Sequence, residues 1–509
     1  MNDTIFRVPS GTIMTPSLLA EYIGKHKQIV NNRYEKLQNA YENKYEIYDQ
    51  PKKPDWKPDN RISVNFAKYI VDTFNGFFCG IPIKTTSESE TVSAYLEFLD
   101  QYNDQDNGNA EISKISDIHG VGHEMYYVDP DGEIGITYLS PMESFFIFDD
   151  SILERKLFFV RYYKDADNIE RGSWSDSRVV QHFENAGTYK WTGEPKKHGF
   201  DGVPASEYIE NDERIGLFES ALPAINAYNK AISEKANDVD YFADAYMKIL
   251  GPKINDDDIP YIRRNRIINF EGGDDGSPMP TVAFLEKPNA DTTQENLINR
   301  LERLIFQMSM VANISDENFG TSSGIALRYK LQSMNNLFRQ KERKFTSGMN
   351  RRYKLIFSNP VSQSHGVKKD DWLNIKYQFT PNYPANLAEE SDIASKLEGV
   401  VSEETKLKVL SIVDNVSEEI GRMEKEQNKI GNDAVMNRMF SSGGNSQSVA
   451  QTDLRVQGKQ LNGAQTQSLI AIMAQYTSGA ISECQAVTLI ATAIGITKDE
   501  ARQILNGEL

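Results

Sequence analysis

The sequence predicts a multidomain α+β chain, and two textures within it carry that prediction. From Val121 to Tyr163 aromatic and β-branched residues dominate, and Asp129-Pro130-Asp131-Gly132 interrupts them with the residues of a tight turn, so this stretch reads as hairpin sheet. Beyond Gly216 apolar residues recur at helical and heptad-like steps over long spans. A chain of 509 residues, 39% hydrophobic and 25% charged, can enclose several cores.

Taken in order, residues 15–48 read as a charged helix, with Leu18, Leu19, Tyr22 and Ile23 giving way to Tyr34, Leu37, Tyr41 and Tyr45. The Pro/Lys segment QPKKPDWKPDN, 50–60, breaks it. RISVNFAKYIVDTFNGFFCGIPIK then supplies an apolar helix stopped by Gly80-Ile81-Pro82. Further strands are expected within 178–210. One long helix is expected over 217–250, with Leu222, Ile225, Ile232, Val239 and Tyr246 at heptad-like steps. Unbroken it would span roughly 50 Å; Pro223 is tolerated near its first turn, and Gly251-Pro252 ends it. A turn-rich insert, 251–288, holds strand-like RIINF and VAFL around the loop EGGDDGSP.

A second helix, 292–312, carries Leu297, Leu301, Leu304, Ile305, Met308 and Val311 on one face, with Thr292 or Thr293 as N-cap. A third runs from Ile325 to Phe357 on a seam of Leu327, Leu331, Met334, Phe338, Phe345, Met349 and Ile356. Between Ile325 and Ile356 it bears nine Lys or Arg against one acid, Glu342. Two readings of that basic helix stand open: a partner for acidic neighbours, or a surface facing DNA. A short strand in NIKYQFTPNYP precedes a helical pair at 387–430. The low-complexity SSGGNSQSVAQT, 441–452, reads as a flexible linker, and a helical module at 463–507 follows. No repeat of solenoid period is apparent.

The formal charge of −17 argues against simple adhesion to nucleic acid, which needs Lys and Arg at phosphates. Two cysteines, Cys79 and Cys484, are too few for a disulfide scaffold or a thiolate metal site, so a reducing compartment is the expectation. No apolar run approaches the length of a membrane span, and no signal-peptide stretch opens the chain; neither export nor membrane embedding is expected.

The loop SDENFGTSSGIALRYK, Ser315 to Lys330, contains Gly320-Thr321-Ser322-Ser323-Gly324, which fits the G-x-S-x-G elbow of many hydrolases. That elbow needs a strand before it, and an acid followed by a histidine after it. What precedes Ser322 is an amphipathic helix. His365 is the sole histidine beyond it, no aspartate lies between them, and Glu342 is the one carboxylate there. A serine hydrolase using Ser322 is therefore the weak alternative to a polar glycine loop. His119 and His123, in HGVGHE, stand at i, i+4, but Gly120 and Gly122 oppose a helix, and a turn entering a hairpin is the simpler reading. Gly24-Lys25 and Gly458-Lys459 are followed by His26 and Gln460, so there is no P-loop. Asp256-Asp257-Asp258 reads as a solvated turn rather than a divalent-ion site. No catalytic residue, cofactor or metal is expected.

Architecture explains the loop better than catalysis does. Two long helices flank a small insert, a third follows a polar glycine loop, and α+β sequence lies on both sides. This order resembles the portal proteins of tailed bacteriophages, in the family of the Bacillus phage SPP1 portal. The segments that carry the resemblance are Asn60–Ile83 (NRISVNFAKYIVDTFNGFFCGIPI), Gly132–Ser151 (GEIGITYLSPMESFFIFDDS), Glu213–Gly251 and Asn313–Met334 (NISDENFGTSSGIALRYKLQSM), and it covers roughly residues 15 to 430. The tail is similar to those of other phage portals in NGAQTQSLIAIMAQYTSGAISECQAV.

The resemblance implies a dodecameric ring at one capsid vertex of the virion. Its channel would pass double-stranded DNA during packaging and ejection. It implies a wing at 1–216, stem helices at 217–250 and 289–312, and a clip at 251–288. A tunnel loop would follow at 313–324, a long wing helix and strand at 325–386, a crown at 387–440, a linker at 441–462 and a C-terminal module at 463–509. The implied partners are further copies of the chain, the terminase large subunit, a head–tail adaptor, and the major capsid and scaffolding proteins, with synthesis in the bacterial host cytoplasm. The clip loop, with Glu271, Gly272, Gly273, Asp274 and Asp275, would face terminase and adaptor. Residue chemistry agrees at the tunnel loop. Asn313, Ser315, Asn318, Thr321, Ser322 and Ser323 are small and polar, Gly320 and Gly324 allow backbone rearrangement, and Asp316 and Glu317 repel phosphate. The apolar seams of the two stem helices, Leu222, Ile225, Ile232 and Val239 with Leu297, Leu301, Leu304 and Met308, are expected to pack against neighbouring subunits in a heterologous interface that closes as a ring. A different structural ring or adaptor of the same virion is the alternative, although adaptors are generally much shorter.

Overall fold

A computed structural model describes residues 5–55, 57–243, 247–250, 281–284, 291–314, 329–383, 387–407, 481–494 and 496–506, with positions 410, 412–413, 416, 419–425, 472 and 476. These residues are mixed helix and sheet in two units, 1–385 and 386–509.

In the first unit β1 (Phe6–Val8) leads into α1 (Pro16–Ile29). Thr15 caps that helix by accepting from the Leu18 N–H, and Pro16 fills the first turn, where no donor is needed. A π turn at Val30–Tyr34 joins α1 to α2 (Glu35–Tyr41). The helix expected to reach residue 48 thus stops at Tyr41, where Asn43 takes a left-handed φ of 63° and turns the chain. Asn65 caps α3 (Phe66–Cys79), which buries Phe66, Ile70, Val71, Phe74, Phe77 and Phe78 and ends at the expected Gly80. The strand β2 (Lys84–Thr86) and two helices follow, α4 (Glu90–Tyr102) and α5 (Gln105–His119). Gly120 ends α5 at φ 83°, and a Cβ there would lie 2.0 Å from the Arg214 carbonyl oxygen, so only glycine fits.

The hairpin sheet forms as expected. Strands β3 (Val121–Val128) and β4 (Ile134–Leu139) flank the Asp129 turn, whose Oδ1 accepts from the Asp131 and Glu133 N–H groups. Next come β5 (Ser144–Asp149), β6 (Lys156–Lys164), β7 (Glu170–Ser175), β8 (Val179–Asn185), β9 (Tyr189–Lys197) and β10 (Ala205–Ile209). They make a six-stranded sheet ordered β1-β5-β6-β7-β8-β9 and a three-stranded sheet ordered β10-β3-β4. Pairing is antiparallel except between β1 and β5.

The helix expected over 217–250 is two kinds of structure. A short 3-10 turn, Glu219–Ala221, precedes α6 (Leu222–Ala243), and Met247–Leu250 is a strand, β11, paired antiparallel with β12 (Thr281–Phe284). Four residues can join either pattern; the β-branched partner at 281–284 decides for the ladder. The strand-like VAFL is thus in a strand through Phe284, but its partner is a segment expected to be helical, while RIINF lies outside the described residues. Helix α7 (Asp291–Ser309) gives way at Met310, which has φ 58°. Helix α8 (Gln332–Ser358) buries Met334, Phe338, Phe345, Met349 and Ile356 in the main core, followed by α9 (Pro360–Ser364) and β13 (Lys376–Gln378), which pairs with β2. Phe78 of α3 meets Phe338 and Phe345 of α8 edge-on, at 5.4 and 5.5 Å between ring centres. Each such buried ring contributes about 1.5–3 kcal/mol.

The second unit contains α10 (Leu387–Leu397), α11 (Glu403–Leu407), α12 (Glu483–Ile494) and α13 (Lys498–Asn506). Val487, Ile490 and Ala501 form a small core between the last two.

Candidate functional site

Helices α6 and α7 lie side by side. Lys235 pairs with Glu295, and the Gln294 amide donates to Asp238 at 2.9 Å. Ile225 is enclosed by the chain's own core, which also takes in Ile298 and Ile305, while Leu222, Ile232 and Leu301 pack partly against it. Leu304 is half-buried. Three of the eight apolar residues named from the sequence stand out in solvent: Val239 at 64% exposure, Leu297 at 51% and Met308 at 45%. Steps of seven and four put Leu297, Leu304 and Met308 in one row along α7, beside the buried row of Ile298 and Ile305. Helix α7 thus has two apolar rows, and only one is covered.

The other side of α6 is gripped by polar contacts. Asn229, Ser233 and Asn237 are buried and repeat every fourth residue, so they share one helix face. Against them lies the extended segment Asp59–Val64. The Val64 N–H donates to Asn229 Oδ1 at 2.8 Å, the Ile62 N–H to Ser233 Oγ at 2.9 Å, and the Asn60 N–H to Asn237 Oδ1 at 2.6 Å. Side chains of the intervening residues turn to the chain just after α2. Arg61 donates to the Tyr48 carbonyl at 2.7 Å, Ser63 to Asn43 Oδ1 at 2.9 Å, and Asn65 to the Tyr41 carbonyl at 2.9 Å. Arg33 secures the entry to α6 with two 2.7 Å hydrogen bonds to the Glu219 carboxylate.

The basic helix α8 resolves in favour of acidic neighbours. Lys341 is buried against Asp117 and, at 3.2 Å, Glu210, with Ser113 accepting at 3.1 Å through its carbonyl. Arg352 is buried on Glu124, with Nε and Nη2 each 2.8 Å from a carboxylate oxygen. Arg351 donates to the carbonyls of Ala205 and Val203, and Lys344 pairs with Asp212. Burial, helped by the neighbouring Glu210, raises the Asp117 carboxyl well above its usual range although Lys341 pulls it down. Burial likewise opposes ionisation of Glu207, but Lys156 and Arg214 hold it down to about 2.

His119 and His123 do not share a helix. His119 closes α5, and His123 lies in β3 with Nδ1 2.9 Å from Ser144 Oγ. Burial lowers the two rings to about 3 and about 4, so both are neutral. Among the described residues no group of three or more His, Cys, Asp or Glu could hold a metal ion. His365 stacks on Tyr95 and Phe98 and lies 3.1 Å from Glu133. Ser322 lies outside the described residues, as do Asp256, Asp257 and Asp258.

Residues 20–433 match the family model described as phage portal protein, SPP1 Gp6-like. The chain belongs to that family of phage portal proteins. It is 23% identical over 439 residues to the portal protein of Bacillus phage SPP1, covering 80% of this chain and 83% of the relative. It is 23% identical over 241 residues to the portal protein of Clostridium phage phiCD119, covering 46% of this chain and 50% of the relative. Among solved structures it is similar, at 11% identity and a TM-score of 0.41 over 67% of this chain and 89% of the other, to a chain in the neck of an empty GTA particle computed with C6 symmetry. The protein is thus a portal protein of a tailed phage, a head–tail connector component from a structural family rather than an enzyme family. Among the described residues no helix is long and apolar enough to cross a membrane.

In this portal protein the expected clip loop, Glu271, Gly272, Gly273, Asp274 and Asp275, lies outside the described residues. So does the expected tunnel loop from Ser315 to Gly324, with Asp316, Glu317, Asn318, Gly320, Thr321 and Ser323. Its roots are described. Val311 and Leu331 are buried, Asn313 donates to Glu302 at 3.2 Å, and the Ile314 N–H donates to the Tyr69 hydroxyl of α3 at 2.9 Å. The portal's polar grip on α6 and the two buried cations of α8 were not among the residues expected from sequence. Both had a signal there, in polar residues set at the spacing of a buried helical stripe.

Proposed function

We propose that twelve copies of this portal protein close into a ring at one vertex of the capsid, with α6 and α7 as the stem around a channel for double-stranded DNA. The observation that carries this is the uncovered apolar row of α7, where Leu297 and Met308 keep 51% and 45% of their surface in water. A helix already held by its own chain on other sides needs a neighbour for that row, and a head-to-tail contact repeated by rotation closes a ring. Residues 313–324 contain Asp316 and Glu317 but no Lys or Arg. Summed round a ring, such a lip forgoes the salt-dependent grip that lysines would give and lets DNA slide. Residues 251–288 are the clip, docking the terminase large subunit during packaging and a head–tail adaptor afterwards; 1–216 and 325–386 form the wing and 387–440 the crown. Capsid and scaffolding proteins seat the ring, and terminase, not this chain, hydrolyses ATP.

Mass photometry and negative-stain microscopy test the assembly. The expected particle is a channelled ring of about 0.7 MDa, twelve chains of 57.6 kDa. Leu297→Asp with Met308→Asp should abolish it and leave monomers of unchanged helix content, because burying two carboxylates in a contact is unfavourable. A wild-type chain that stays a compact monomer even with its capsid partners would refute the proposal. For the loop, Gly320→Pro should leave rings intact and block DNA packaging, since proline removes the backbone freedom on which a sliding lip depends; a normal packaged yield would contradict it.

A further inference from the structure

The contacts of Asp59–Val64 have a regularity that ordinary loop packing lacks. Three alternate backbone N–H groups, at Asn60, Ile62 and Val64, meet three side chains spaced by four along α6, at Asn237, Ser233 and Asn229. Alternate residues of an extended chain recur every ~6.6 Å, and every fourth residue of a helix recurs every ~6 Å. The two repeats agree closely enough for three rungs to stay in register. Ser233 Oγ, besides accepting from Ile62, has one proton, which faces the Asn229 carbonyl at 2.7 Å and the Ile62 carbonyl at 3.1 Å. The Asn60 side chain adds a contact to Asp240. The odd-numbered side chains meanwhile bond to Tyr41, Asn43 and Tyr48, next to α2. The segment therefore has one edge on α6 and the other on the N-terminal helices.

We propose that Asn229, Ser233 and Asn237 are positioning residues, and that Asp59–Val64 is a strap through which they set the stem helix at a fixed angle and register against the wing. The proposal rests on the stem assignment above and adds a device to it. A stem helix held only by apolar packing can slide along its partner, because such contacts are non-directional. Three directional rungs resist that sliding. A force applied to the stem by passing DNA is then transferred to the wing instead of being lost in a shift of α6.

Two measurements on the full-length chain test this. Amide hydrogen exchange should show Asn60, Ile62 and Val64 protected in the wild type. In the triple variant Asn229→Leu, Ser233→Val, Asn237→Leu, their exchange should quicken about tenfold or more, while amides of α3 exchange as before. The same variant should form rings by negative-stain microscopy yet lose most DNA packaging with terminase. Ser233→Thr, which keeps the hydroxyl that Ser233→Val alone removes, should behave as wild type in both measurements. Unprotected strap amides in the wild type, or normal packaging by the triple variant, overturns the proposal. The exchange measurement reads the strap whether or not rings form. A chain with protected strap amides that never assembles would therefore refute the ring while leaving the ladder in place.

Discussion

Arg352→Met is expected to cost the first unit about 3–5 kcal/mol, the range for breaking one side of a buried ion pair. The residue is wholly enclosed, and its Nε and Nη2 hold both oxygens of Glu124 at 2.8 Å. Nη2 also donates to Asn109 Oδ1 at 2.8 Å, and the guanidinium lies over the Tyr208 ring at 5.4 Å. Methionine fills much of the same volume, so the loss is electrostatic and not a cavity effect. What remains is a Glu124 carboxylate with only neutral donors, the hydroxyls of Tyr126 at 2.8 Å and Tyr208 at 3.0 Å and a long contact to Gln105. Asp100, already pushed up to about 6 by burial despite the pull of Arg352, loses that pull as well. Since domains of this kind are stable by only about 5–15 kcal/mol, the single variant should unfold at much lower urea or accumulate as aggregate. Adding Glu124→Gln removes the orphaned charge and should restore a large part of the loss. Equal denaturation midpoints for wild type and Arg352→Met would show that the pair contributes nothing net.

Why the sequence revealed the long helices but not this pair follows from where the two cations sit. The apolar seam of α8 includes Phe338, Phe345, Met349 and Ile356. Lys341 and Arg352 fill its gaps at steps of three and four, and both are buried. Counted as charge they leave both acidic neighbours and a DNA-facing surface open; counted as seam positions they indicate burial beside acids. Those acids, on α5, β3 and just after β10, are distant in sequence, so no local pattern pairs them with α8. The same limit hid the strap. Asn229, Ser233 and Asn237 mark a polar stripe on a buried face, but their partners lie more than 160 residues earlier. Helix α5 is hard to read because Asp106, Asn107, Gly108 and Asn109 dilute its apolar residues, whereas α4, with Val92, Tyr95, Leu96 and Leu99 at helical spacing, was legible in principle. At β11, four residues that continue the helical spacing become a strand because of a partner at 281–284. Periodicity therefore disclosed the elements with long one-sided patterns, and missed what non-local pairing decides.

Lys341→Met should produce a loss of similar size with a different dependence on pH. Lys341 stands between two carboxylates, Asp117 and Glu210, with the rings of Phe74 and Phe78 at 5.4 and 5.2 Å. Burial raises the Asp117 carboxyl above its ordinary 3.8, and Lys341 is the largest influence opposing that rise. Burial already favours the protonated acid in the wild type, and removing the lysine strengthens that preference. Because the folded variant then binds protons that the unfolded chain has released, its stability falls as pH rises above the ordinary carboxylate value. Stability recovers on acidification toward it. The wild type also carries His26, His119 and His123, lowered by burial to about 3, 3 and 4, and these act in the opposite sense by destabilising the fold as pH drops below 6.5. They are common to both proteins and cancel in the difference. The deficit of Lys341→Met relative to wild type, measured by urea denaturation at pH 8 and again near pH 5, should therefore be about 3–5 kcal/mol at the higher pH and distinctly smaller at the lower. A deficit that is flat or grows on acidification would mean that Asp117 and Glu210 are solvated once the lysine is gone, and that α8 is not held to α5 by a buried charge.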